Sequence, residues 1–216
     1  MNFKKLLCVS GFLMILFVIL TGAVLVVDVQ SIGPDGSSVG LASVNRYFAE
    51  HIGVNLIWYH ITDWLGIIAI CFALGFAFLG LIQFIIRKSI KKVDRQIIAL
   101  GVFYTLVISI YILFEHMIVN YRPILMNGAL EASYPSSHTI LVLCIMSTAI
   151  IMFDYLLSGQ KYLRIFLNVT AVLIMVVTVF GRLISGVHWF TDIIAGMILS
   201  AGLVLLFYAV VRRWEK

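Results

Sequence analysis

The chain has 216 residues, of which 62% are hydrophobic and 12% charged, with a mean hydropathy of +1.11 and a net charge of +5. Soluble domains carry about 25% charged residues, so this composition excludes an ordinary soluble fold and points to a protein embedded in lipid. Nucleic acid is excluded as a partner, because the basic stripe on a soluble domain that it would need is absent.

A helix needs about 20 apolar residues to cross a hydrocarbon layer about 30 Å thick. The first such run, about 6–27, follows Lys4-Lys5. It is too long for the apolar region of a secretory signal and lacks a clear small-x-small cleavage site, so an uncleaved first span is expected. Residues 28–56 form the longest polar interruption and open on the turn-rich Gly33-Pro34-Asp35-Gly36-Ser37-Ser38. From Ser43 to Asn55 the apolar Val44, Tyr47, Phe48 and Ile52 recur at helical spacing. That pattern predicts an amphipathic helix lying at the membrane interface. The second run, 57–86, begins with Trp58, Tyr59 and Trp64, residues suited to an interfacial aromatic belt.

A short basic connection, Arg87 to Gln96, leads to a third run at 97–119, which is expected to exit directly into Tyr121-Arg122-Pro123. The fourth, 138–157, opens on Pro135-Ser136-Ser137-His138; the fifth, 165–184, closes near Arg182; the sixth, 190–211, follows His188. Continuous apolar runs, as opposed to alternation, predict helices and not a barrel. The expected fold is therefore all-α, a six-transmembrane-helix bundle forming a single domain over residues 1–216. Cys8, Cys71 and Cys144 fall inside the runs without CxxC spacing and read as small apolar fillers.

Basic residues set the orientation. With the N-terminus in the cytoplasm, twelve of the fifteen Lys and Arg fall on the cytoplasmic side: Lys4, Lys5, Arg87, Lys88, Lys91, Lys92, Arg95, Lys161, Arg164, Arg212, Arg213 and Lys216. Both termini are then cytoplasmic, and only Arg46, Arg122 and Arg182 lie outside. The ends of the third to sixth spans that bear Arg122, His138, Arg182, His188 and Asp192 all face outward. An ionisable group in a span costs roughly 3 kcal/mol even on the lenient insertion scale, so such a cluster calls for a function.

Capture of a phosphate group supplies one. Arg122 and Arg182 offer permanently charged, paired donors. Ser136 and Ser137 start a helix, where free backbone N–H groups and the dipole attract anions and the hydroxyls can also donate. His188 and Asp192, spaced i, i+4, are expected on one helical face, the carboxylate orienting the ring so that its other nitrogen attacks phosphorus. His138 then serves as general acid and base. Two arginines and a helix terminus neutralise the developing charge without a metal or other cofactor. His51, His60 and His116 read as ordinary interfacial polar residues.

At these residues the sequence resembles the type 2 phosphatidic acid phosphatase (PAP2) superfamily, whose pattern is KxxxxxxRP, then PSGH, then SRxxxxxHxxxD. The chain has Glu115-x6-Arg122-Pro123, Pro135-Ser136-Ser137-His138 and Gly181-Arg182-x5-His188-x3-Asp192. The stretch from Trp58 to Gly66 is also similar to the start of the family's second span. The resemblance implies a PAP2/acid-phosphatase-like core, with the motif-bearing part at about 97–205. It assigns His188 as nucleophile forming a phosphohistidine, Asp192 as its partner, His138 as acid/base, and Arg122, Arg182, Ser136 and Ser137 as phosphate ligands. The implied activity is metal-independent hydrolysis of a lipid phosphate or diphosphate, isoprenoid or glycerolipid, at the outer face of a bacterial cell membrane.

Three positions depart from the pattern: Glu115 replaces Lys, Ser137 replaces Gly, and Gly181 replaces Ser. Seven residues before Arg122 on a continuous helix, Glu115 would share its face. At a substrate-binding position it would either pair with Arg122 or Arg182 or act on the substrate, repelling it or changing the preference toward a head group that carries an amine. A catalytically impaired relative that binds or translocates a phospholipid is the alternative that Glu115 raises.

Overall fold

A computed structural model describes residues 2–214, so Lys216, counted above at the basic end, lies outside the described residues. Helices α1 (Phe3–Val26), α2 (Ala42–Ile52), α3 (Leu56–Arg87), α4 (Arg95–His116), α5 (Ser137–Leu156), α6 (Lys161–Ser185) and α7 (Phe190–Arg212) carry the chain. Six of them, all but α2, are long and apolar enough to cross a membrane. This is the expected all-α bundle, and the chain reads as an integral membrane protein.

α5 and α7 form the centre, with 56% and 50% of their most apolar windows buried, against 17–22% for the other four spans. Lipid is as apolar as a Leu side chain, so interior packing and polar ties, not exclusion from water, must hold such a bundle. Leu100 and Phe103 of α4, Met152 of α5, and Leu199, Leu203 and Phe207 of α7 fill the interior. Ser10 Oγ donates to the Gly202 carbonyl at 2.8 Å, joining α1 to α7. Phe12, Leu74, Phe78, Val102 and Phe180 point outward into what the apolar composition makes lipid.

At one end of the bundle, the basic α3–α4 connection is clasped by Asp94. Its carboxylate receives Arg87 Nη1 at 2.7 Å and Gln83 Nε2 at 2.8 Å. The Arg87 contact pulls the Asp94 carboxyl below its usual range.

The opposite end gathers the motifs. α2 sits there as expected, though it is fastened to α7 and does not simply float at an interface. Asn45 Nδ2 donates to Thr191 Oγ1 at 3.0 Å, and the Phe48 ring stacks on Phe190 with centroids 3.9 Å apart. Only Val44 and Tyr47 of its apolar face are exposed. Between α4 and α5 the chain forms a small hairpin, bridged at Tyr121–Ala132 and Met126–Ala129 and tipped by left-handed residues 127 and 128. Arg122 lies in this hairpin and not at a helix exit, because α4 already ends at His116.

Candidate active site

His188 precedes α7 and is not part of it. Trp189 is the N-cap, and Asp192 Oδ2 accepts the Trp189 N–H at 2.9 Å. The expected helical i, i+4 face therefore does not exist at this pair, although Nδ1 and Oδ2 still come within 3.6 Å. The nearer partner of Nδ1 is the Ser133 carbonyl, at 3.1 Å. A carbonyl only accepts, so Nδ1 carries the proton and Nε2 keeps its lone pair. That Nε2 is buried and has no hydrogen-bond partner among the described residues. Burial first, then the charges of Arg122 and Arg182, hold the His188 imidazole neutral well below the ordinary histidine range.

The second imidazole sits against α3. His138 Nε2 lies 3.0 Å from Asp63 Oδ1, and the same oxygen accepts from Arg182 Nη2. Arg182 is fully buried, its guanidinium 4.9 Å above the centre of the Tyr59 ring, a cation–π contact. Two glycines make this approach possible. A Cβ on Gly66, one turn after Asp63, would stand 3.2 Å from His138 Cδ2. A Cβ on Gly181 would stand 2.5 Å from Thr62 Cγ2 and 3.0 Å from Trp58 Cε3. The serine of the family pattern thus has no room at position 181, and Trp58 and Tyr59 pack toward α6 where an interfacial belt was expected.

Arg122 pairs with Glu131 across the hairpin, Nε to Oε2 at 3.1 Å. Glu115 is exposed and lies near Tyr111, one turn earlier. Among the described residues it has no ion pair with Arg122 or Arg182, contrary to expectation. The cause is plain: the helix stops one residue after Glu115, so Arg122 is not on its face. Ser137 lines a small recess together with Glu115 and Tyr111. Ser136 is fully buried, its Oγ accepting from Thr139 at 3.0 Å and its N–H donating to the Asp192 carbonyl at 3.0 Å. That N–H is therefore spent on joining α5 to α7.

The structure thus brings Arg122, His138, Arg182 and His188 within electrostatic range of one another. Buried polar atoms normally have partners. Here Arg122 Nη1, Arg182 Nε and Nη1, His138 Nδ1 and His188 Nε2 are buried with none among the described residues. Donors and a lone pair so arranged suit a tetrahedral oxyanion, the guanidiniums meeting its oxygens and an imidazole its central atom. A cavity of about 450 Å³, lined by Asn45, Phe48, Glu50, Leu183 and Trp189, opens beside His188.

Asp63, Tyr59 and Glu131 were not among the expected site residues. Asp63 had a signal: it is the one acidic residue in the 32-residue α3, and an acid in a span is a candidate by default. Tyr59 and Glu131 had none, since both depend on which element lies opposite.

A polytopic helical membrane protein with an anion-receptive cluster at one end is the class that this fold and geometry define. Residues 116–216 match the family model of the PAP2 superfamily, the superfamily that the motifs of the sequence resemble. The fold is similar to that of a solved structure from Bacillus subtilis, described as the first transmembrane PAP2 type phosphatidylglycerolphosphate phosphatase. The TM-score is 0.61 and the identity 20%, with 95% of this chain and 96% of that one covered. No curated protein matches by sequence.

Proposed function

We propose that the protein is a membrane lipid phosphatase that hydrolyses a phosphomonoester or diphosphate of a glycerolipid or isoprenoid. The observation that carries this reading is the group of buried nitrogens on Arg122, Arg182, His138 and His188 without protein partners. In the proposed cycle the His188 Nε2 lone pair attacks phosphorus, and the P–O bond to the lipid breaks. His138 supplies the proton to the leaving oxygen. It then takes a proton from the water that attacks the phosphohistidine, and His188 regains its electron pair. Arg122 and Arg182 hold the non-bridging oxygens, and Asp192 and the Ser133 carbonyl orient His188. Proton donation of this kind gives about 10²–10⁴ in rate.

The concentration of basic residues at the opposite end supports an outward-facing site with cytoplasmic termini. The acyl or prenyl chain would stay in the lipid while the head group enters between helices. Glu115 makes no ion pair with either arginine, which favours an active site over an impaired one.

The test is release of inorganic phosphate by purified protein, without added metal, from phosphatidylglycerolphosphate, phosphatidic acid, and an isoprenyl phosphate and diphosphate. Release from at least one of them, abolished in His188→Ala, is expected. Silence on the whole panel, or equal release by His188→Ala, overturns the proposal.

A further inference from the structure

We propose that Asp63 is a positioning residue for His138, giving the acid/base imidazole its own carboxylate partner. The inference rests on the phosphatase reading above and adds a residue outside the three motifs. Asp63 Oδ1 lies 3.0 Å from His138 Nε2 while accepting from Arg182 Nη2. A carboxylate beside a guanidinium is an acceptor only, so Nε2 of His138 must carry its hydrogen. The ring nitrogen left for proton transfer is Nδ1, which is buried without a partner. Gly66 allows the close approach from below, because a Cβ there would stand only 3.2 Å from the Cδ2 edge of the ring.

The two imidazoles of the site are thus held in opposite tautomers. Ser133 and Asp192 leave His188 with a free Nε2, whereas Asp63 leaves His138 with a free Nδ1. The contact with Asp63 keeps the ring turned so that Nδ1, and not Nε2, is the nitrogen free to exchange a proton. In that step Nδ1–H passes to the leaving oxygen as the P–O bond breaks and the P–Nε2 bond to His188 forms. In the second step a water proton returns to Nδ1, the water oxygen bonds to phosphorus, and the P–Nε2 bond breaks. Throughout, the hydrogen on His138 Nε2 stays on that nitrogen and is donated to Asp63, whose contact with Arg182 ties the proton donor to one of the oxyanion ligands.

The test compares two phosphate monoesters. An alkyl phosphate leaves as a strongly basic alkoxide unless it is protonated, whereas p-nitrophenyl phosphate leaves as a stable anion without help. In Asp63→Asn, turnover of the alkyl phosphate should fall about tenfold or more beyond any fall with p-nitrophenyl phosphate, a loss within the range of a positioned acid. Looser placement of Arg182 would lower both rates alike, so the ratio carries the signal. Gly66→Ala, which pushes on the His138 ring and leaves Asp63 in place, should shift the ratio in the same direction by a smaller factor. It reads the same contact if Asp63→Asn does not accumulate. An unchanged ratio, or a faster alkyl phosphate reaction in Asp63→Asn, overturns the inference. A wild-type protein silent on the lipid panel as well as on both compounds defeats the phosphatase reading itself, whereas an active wild type with equal losses defeats the role of Asp63 alone.

Discussion

The Ser133 carbonyl lies 3.1 Å from His188 Nδ1, nearer than the Asp192 carboxylate at 3.6 Å. The tautomer of the proposed nucleophile is therefore set by backbone at least as firmly as by a side chain. In a serine-protease triad, replacing the aspartate by asparagine costs about 10⁴ because the ring adopts the wrong tautomer. Here Asp192→Asn should cost less, about 10–10² in kcat, because Ser133 still accepts from Nδ1. His188→Ala should reduce phosphate release to background. Steady-state rates of the two variants side by side check the difference, and equal losses would remove Ser133 from the account.

Acid sensitivity follows from His188. The folded imidazole is held well below its usual 6.5 by burial first and by Arg122 and Arg182 second. A proton on Nε2 would abolish attack, so loss of rate through His188 should begin only well below pH 6.5. Stability responds sooner: below 6.5 the unfolded chain binds a proton that the folded site refuses, so the folded form loses ground as pH falls. Thermal unfolding in detergent at neutral and mildly acidic pH, for wild type and His188→Gln, should show a shallower acid loss in the variant.

Glu115→Lys restores the residue of the family pattern. Because Glu115 is exposed and unpaired with either arginine, the variant should fold normally and change turnover by less than about fivefold, the range of a surface charge of about 1 kcal/mol. A gain far beyond that range would mean that the natural site is held back by this residue.

Position 181 offers a packing test. Gly181→Ser would place a Cβ 2.5 Å from Thr62 Cγ2, and overpacking of this kind costs about 1–3 kcal/mol. Thermal stability should fall, and adding Thr62→Ser, which deletes that methyl group, should recover part of the loss. The recovery stays partial because Trp58 Cε3 remains 3.0 Å away. No recovery at all would place the strain elsewhere.

The spans were legible because hydropathy is a one-dimensional property. The third run, taken to 119, in fact ends at His116, where the chain leaves the helix for a hairpin. That small difference moved Arg122 off the helix and dissolved its supposed pairing with Glu115. His188 and Asp192 were found by spacing, but the helix begins between them, so the contact survives for another reason: Asp192 caps the Trp189 N–H. Asp63 was passed over inside a stretch otherwise noticed for its similarity to the family. Its meaning depends on His138 and Arg182, 75 and 119 residues further along, and no local pattern carries that distance.

The Asp63–Arg182 contact also bears on how the protein reaches its membrane. If the spans insert in the order of synthesis, α3 enters the bilayer with its acid unmatched, and the matching guanidinium arrives only with α6, three spans later. A carboxylate at the middle of a span costs roughly 3 kcal/mol, less near its end, and the mean hydropathy of 2.7 over the most apolar 18 residues of α3 is ample compensation. Biogenesis would then have a built-in order, with the early span waiting and the late one completing the circuit.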